Sequence, residues 1–185
     1  MASEELAYIP VPLAAVGTAL GSWRRHDPNA VPTAAKGTGM YANSSLAKVE
    51  ALNAGYDEAI LLAPNGDVSE CTGENIFIVR DGVLLTPPTS DAGALDGITQ
   101  DTVKTIANDL GYEVRQEPII RTDLYLADEA FLTGTAAEVV PIRAVDDRPV
   151  GPGHPGRITK EIQQIYFATV RGEVDQYKDW LDHVD

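Results

Sequence analysis

Two short turn signals limit what this chain can fold into. Pro64-Asn65-Gly66 and Asp81-Gly82 each separate a pair of apolar, β-branched runs, and that spacing favours antiparallel hairpins. Residues 58–63 and 67–70 flank the first turn, and residues 75–80 and 83–86 flank the second. Three or four antiparallel strands are therefore expected between residues 58 and 86. Helical patterns alternate with them. Over residues 41–55, Leu46, Val49 and Leu52 fall at helical spacing and Gly55 supplies a stop. Thr99 is expected to cap a second helix, whose Val103, Ile106, Ala107 and Leu110 form an i, i+3, i+4, i+7 stripe ended by Gly111.

The rest of the chain reads as a strand over 112–120, a helical turn over 122–126, and strands over 129–133 and 139–145 around a small-residue turn at 134–138. A Gly/Pro loop covers 150–156. Ile158, Ile162, Ile165, Tyr166 and Thr169 mark a final amphipathic helix, and residues 173–185 form an acidic tail with Trp180 as its docking residue. Residues 1–35 read as extended, with 13–20 a strand or a linker. Arg24 and Arg25 read as a solvated pair that could instead bind an anion. The fold class is α/β or mixed α+β, with largely antiparallel strands and flanking helices. With 185 residues, one core-forming domain is the expectation, two at most.

Composition narrows the function. A net charge of −14 argues against nucleic acid and anionic membranes as partners, since both are repelled. The acidity serves solubility or marks a salt-adapted source; stabilisation by multimolar salt would separate the two. The single cysteine, Cys71, excludes an internal disulfide framework. No apolar run reaches the roughly 20 residues that span a bilayer. The first residues carry Glu4 and Glu5, and their apolar run is cut by Pro10 and Pro12, so no secretory signal is read and a cytoplasmic setting is expected. His26, His154 and His183 lack ligand spacing, which leaves no metal site in view.

Three loops and one lysine have chemistry to offer. Leu95-Asp96-Gly97-Ile98-Thr99 opens a helix, where unpaired N–H groups and the dipole favour an anion; an ordinary helix start is the alternative. Gly134-Thr135-Ala136-Ala137 exposes backbone N–H groups to a phosphate or carboxylate, or is a plain tight turn. Glu70, with Glu74 and Asn75 close by, is a carboxylate that could face a ring nitrogen, or a solvated loop acid. Lys36, in Lys36-Gly37-Thr38-Gly39-Met40-Tyr41, is a covalent anchor for an aldehyde or a solvated surface lysine. Cys71 beside Glu70 reads as a buried small residue with a raised thiol pKa.

Taken in order, these motifs resemble a known family. Lys36 with Tyr41, Gly55-Tyr56-Asp57-Glu58-Ala59, Ser69-Glu70 with Gly73-Glu74-Asn75-Ile76-Phe77, Gly97-Ile98-Thr99, Tyr125-Leu126-Ala127-Asp128-Glu129 and Gly134-Thr135-Ala136-Ala137-Glu138 are similar to the large C-terminal domain of branched-chain amino acid aminotransferases. These are pyridoxal-phosphate enzymes of fold type IV. The resemblance implies a pseudo-barrel with pyridoxal 5′-phosphate as cofactor, and transamination of Leu, Ile or Val with 2-oxoglutarate. Lys36 would hold the cofactor as a Schiff base and shuttle the proton, Glu70 would pair with the pyridine nitrogen, and Tyr41 would lie near the phenolic oxygen and the substrate. Leu95 would pack on the ring. Gly97, Ile98, Thr99 and Thr135 would hold the phosphate, and Ala136 and Ala137 would meet the substrate carboxylate.

The resemblance also implies a homodimer or higher oligomer. It divides the chain into a linker over 1–21, with Tyr8 as a pocket residue, and a cofactor-binding domain over 22–185. The family's smaller N-terminal domain, which adds an arginine to the phosphate site and much of the side-chain pocket, has no counterpart here. Related enzymes carry proline where this chain has Asp96. D-amino acid aminotransferases and aminodeoxychorismate lyases share the fold and are the alternatives, along with a non-catalytic cofactor-binding fragment.

Overall fold

The computed structural model describes residues 15–182. Tyr8, His183 and the ends of the expected linker and acidic tail lie outside the described residues. The strands are β1 (Val16–Arg24), β2 (Glu58–Leu62), β3 (Val68–Cys71), β4 (Asn75–Arg80), β5 (Val83–Thr86), β6 (Val114–Gln116), β7 (Glu129–Gly134), β8 (Glu138–Val145) and β9 (Arg148–Pro149). Among the described residues they form one curled sheet in the order β3-β2-β1-β8-β7-β4-β5-β6, with β9 alongside β8. The helices are α1 (Tyr41–Asn53), α2 (Thr89–Ala92), α3 (Ile98–Asp109), α4 (Arg121–Leu126) and α5 (Arg157–Val170).

Both expected hairpins form. β2 and β3 pair antiparallel with Ile60 opposite Cys71, and β4 and β5 pair with Ile78 opposite Leu85. Asp81 and Gly82 both take positive φ, the conformation a two-residue turn needs to match strand twist. The sheet is not antiparallel throughout. β1 runs parallel to both β2 and β8, and β5 runs parallel to β6. β1 also spans residues on both sides of position 21, so residues 16–21 are part of the sheet.

Strand alternation sorts the core into two faces. Ile76 and Ile78 of β4 join Ile60, Leu132 and Ile142 on the inner, concave side. Phe77 and Val79 point the other way, where Phe131, Val103, Ile106 and Ile162 bring α3 and α5 against the sheet. Phe77 lies opposite Phe131 in register, and their rings stack at 5.0 Å between centroids. Both are fully buried. Phe131→Ala is expected to lower unfolding free energy by about 3–5 kcal/mol, the usual cost of a buried aromatic cavity. Urea denaturation measures it, and a loss under about 1 kcal/mol would mean the stack can collapse freely.

Four sequence expectations are corrected. On α1, Leu46, Val49 and Leu52 are about half exposed, and the buried face is Ser44, Ala47 and Ala51. Ala47 and Ala51 meet Ala59 and Leu61 of β2, so small residues set a close helix–sheet approach and the larger stripe is turned outward. Gly97, not Thr99, is the N-cap of α3; Thr99 sits inside the first turn and is buried. The strand over 112–120 shrinks to Val114–Gln116, because the pairing with β5 ends at Thr86. Trp180 is about half exposed and stacks on Tyr177, whose hydroxyl donates to Asp109 of α3; the buried Tyr177 does the docking.

Candidate functional site

The loop between β5 and α3 is stitched to the strands beside it by the polar residues of two strand ends. Ser69 of β3 donates its hydroxyl to the Ala92 carbonyl at 2.7 Å. The Leu95 N–H donates to Glu70 Oε2 at 2.8 Å, and Asn75 Nδ2 donates to the Leu95 carbonyl at 2.8 Å. These bonds fix Leu95 and lead directly into Gly97. A Cβ at Gly97 would come within 2.1 Å of Asn75 Oδ1, so a side chain cannot be accommodated there without movement. The loop therefore delivers the start of α3 to one place.

That place is a cavity of about 280 Å³. Lys36, Tyr41, Glu70, Leu95, Gly97, Ile98, Thr99 and Thr135 all line it. Lys36 lies on the loop before a 3-10 turn (Thr38–Met40) that runs into α1, and its side chain is exposed to the cavity mouth. No side chain caps α3, so its first-turn N–H groups face the cavity free to bind an anion. Ala136 and Ala137 are not among the walls. Ala136 is exposed further along the turn, and Ala137 packs against the inner core.

Two contributors were not foreseen. Arg25, read as solvated, is buried: its Nη2 lies 2.8 Å from Glu70 Oε1, its Nε donates to the Gly93 carbonyl, and its Nη1 to Ser44 Oγ. Arg24, its neighbour, is exposed and donates to the Ala63 carbonyl. Thr133 is fully buried in the cavity wall with no partner for its hydroxyl. Neither has a sequence signature, since Thr133 depends on which face of β7 it occupies and Arg25 on how the chain leaves the end of β1.

Burial dominates the electrostatics. It raises the Glu70 carboxyl to about 7, against the pull of Arg25, the Leu95 N–H and Lys36. It does the same to Glu74, with Glu58 adding like charge, and Glu74 also reaches about 7. Glu58 is held by Lys48 at 2.6 Å and by the Thr72 hydroxyl at 2.6 Å. Cys71 is buried, and burial together with Glu58 drives its thiol well up, which leaves it unreactive. Among the described residues no group of three His, Cys, Asp or Glu side chains could hold a metal, and no helix is long and apolar enough to cross a membrane.

The raised acids predict a pH effect. Both hold a proton in the folded chain above their ordinary 4.5, so their contribution favours folding below that value and is lost as pH climbs through about 7. Glu74→Gln is expected to flatten the fall in unfolding free energy between pH 4.5 and 7, followed by urea titration. An unchanged slope would show that Glu74 is already ionised in the folded chain.

Comparison with known proteins gives one consistent result. The family model for amino-transferase class IV matches residues 2–145. A probable branched-chain-amino-acid aminotransferase of Aquifex aeolicus is 51% identical over 89% of this chain and 53% of its own length. The crystal structure of the branched-chain aminotransferase of Thermoproteus uzoniensis with norvaline superposes with a TM-score of 0.89 at 48% identity, over 93% of this chain and 57% of that one. The holo, PLP form of the branched-chain amino acid aminotransferase of Thermobaculum terrenum gives 0.89 at 42% identity, over 91% and 55%. The chain thus spans about half the length of the relatives it matches.

Proposed function

The chain belongs to the class IV amino-transferases, and on that premise we propose that it forms the cofactor-binding part of a pyridoxal-phosphate-dependent aminotransferase for branched-chain L-amino acids. The observation that carries the reading is the cavity itself. A lysine, a buried glutamate and an uncapped helix N-terminus line one space. Its groups suit a flat ring bearing a phosphate: Gly97 leaves room for close approach, and the buried Thr133 hydroxyl awaits a partner.

Pyridoxal phosphate, when bound, supplies an aldehyde for an amine and an electron-poor ring that accepts the electron pair of the substrate α-carbon. The residues divide the remaining work. Lys36 would anchor the aldehyde and, when free, its Nζ would be the group in the cavity able to take up and return the substrate's proton. Glu70 would hold the ring nitrogen in its protonated form. The Ile98 and Thr99 N–H groups and the Thr135 hydroxyl would hold the phosphate, Leu95 would pack on the ring, and Tyr41 would orient the phenolic oxygen. Ala136 and Ala137 stay in this reading as the turn that meets the substrate carboxylate, outside the cavity walls.

The names of the relatives favour branched-chain substrates over the D-amino acid and lyase alternatives, and 2-oxoglutarate as amino acceptor is part of the proposal. A homodimer and a cytoplasmic setting belong to the same reading, and the outward stripe of Leu46, Val49 and Leu52 is consistent with self-association. In this reading the linker of residues 1–21 runs into β1, whose first residues belong to the sheet, and the rest of the side-chain pocket comes from the part of the relatives' length that this chain does not span. The 185-residue chain alone is therefore expected to bind pyridoxal phosphate yet to turn over leucine with 2-oxoglutarate weakly. Turnover equal to that of a relative of full length, in a coupled glutamate assay, would show the remaining part to be dispensable.

A further inference from the structure

We infer that Arg25 is a positioning residue: its three-pronged seat fixes the Glu70 carboxylate, and its charge keeps the proton on the ring nitrogen that Glu70 faces. The inference rests on the reading of Glu70 given above and adds a residue to it. Arg25 is buried at 7% exposure, which a guanidinium tolerates only when paired and hydrogen-bonded. Its contacts meet that demand. Nη2 meets Glu70 Oε1 at 2.8 Å, Nε donates to the Gly93 carbonyl at 3.2 Å, and Nη1 donates to Ser44 Oγ at 3.4 Å. One side chain thereby ties the strand bearing Glu70 to the helix following Lys36 and to the turn that leads into Leu95.

Both oxygens of Glu70 are engaged, Oε1 by Arg25 and Oε2 by the Leu95 N–H, so the carboxylate cannot rotate freely. The chemistry follows from relative basicity. A proton shared by a carboxylate and a pyridine nitrogen resides on the more basic partner. Burial alone makes Glu70 more basic, and Arg25 is the largest opposing influence. Without that cation the proton would pass to Glu70, and the ring would lose the positive charge that lets it accept electrons. The other charged groups near Glu70 in the cavity, Lys36, Glu74 and Asp96, include one cation, and it sits at the mouth.

The test uses R25Q, R25K and E70Q in the full chain, loaded with pyridoxal phosphate labelled with nitrogen-15 in the ring. The nitrogen chemical shift reports ring protonation directly. It is expected to move toward the neutral-pyridine value in R25Q and E70Q, and to lie between wild type and R25Q in R25K, whose ammonium cannot reach all three partners. A shift in E70Q with none in R25Q would overturn the role of Arg25 alone. No shift in E70Q would overturn the reading of Glu70 as well.

A second measurement needs no cofactor. Glu70 is raised to about 7, so its contribution to folding is lost as pH rises through that value. In R25Q the fall in unfolding free energy is expected to continue to higher pH, and the double variant R25Q/E70Q should abolish that extension. An R25Q profile that levels off where wild type does would overturn the proposal. Should R25Q not fold, an R25K nitrogen shift identical to wild type would overturn the three-pronged seat.

Discussion

Lys36→Ala is expected to abolish covalent capture of pyridoxal phosphate, with no residual adduct after borohydride reduction and peptide mass spectrometry. Among the described residues, Lys36 is the one lysine that lines the cavity. Lys48 is committed to Glu58 and the Asp57 carbonyl, each at 2.6 Å, while Lys104 and Lys178 pair with Asp101 and Asp175 on their own helical turns. Lys36 has the cavity at its side and a backbone of small residues, Ala34, Ala35 and Gly37, that lets the loop adjust to a bound ring. The substitution removes a side chain that supports no core packing, since Lys36 is exposed. Stability should therefore change by less than about 0.5 kcal/mol, the range for surface positions. An adduct that persists in the variant at wild-type yield, on Lys48 or Lys160, would remove Lys36 from its assigned place.

How far the sequence anticipates this site depends on which link of the chain is asked about. Hairpin turns and glycine stops are local, so β2 to β5 and the ends of α1 and α3 are legible in the residues themselves. The cavity residues from Lys36 to Thr135 are legible as a set through the order of their motifs. Arg25 is not. Arg24 and Arg25 are the same residue type side by side, and alternation sends one outward and one inward. Which is which is set by the pairing of β1 with β2, whose register shifts between Leu20 and Arg24. A bulge of that kind leaves no mark in composition. The α1 helix fails for a related reason. It carries two plausible apolar faces, and the alanine face wins because it permits closer approach to β2 than Leu46, Val49 and Leu52 would. Ala136 and Ala137 show the reverse limit: the turn is where its motif suggests, but it lies past the rim of the cavity.

Glu70→Gln is expected to slow the conversion of leucine by on the order of 100-fold, the effect of removing one charge-stabilising group. The affinity for pyridoxal phosphate should change by less than about tenfold, or 1.4 kcal/mol. The split follows from the geometry. The phosphate is assigned to the start of α3 and to Thr135, and the covalent link to Lys36; neither touches Glu70. In the proposed reading Glu70 contributes negative charge against the ring nitrogen, and an amide of the same shape has none. Gln retains one oxygen, which can accept from the Leu95 N–H or from Arg25 but leaves the buried guanidinium without its counter-charge. A loss of stability of about 1–3 kcal/mol is thus expected as well, and urea midpoints must be measured alongside the rate to keep the two apart. The rate is best followed in a single turnover of leucine, where release of product does not intrude. If affinity fell by the larger factor and the rate by the smaller, Glu70 would be an anchor for the cofactor, and the charge on the ring would have to come from elsewhere in the cavity. Its burial beside Arg25 argues for the first outcome, because an anchor needs only a hydrogen bond, whereas a carboxylate held between a guanidinium and an N–H is arranged to keep its charge in a place where charge is costly.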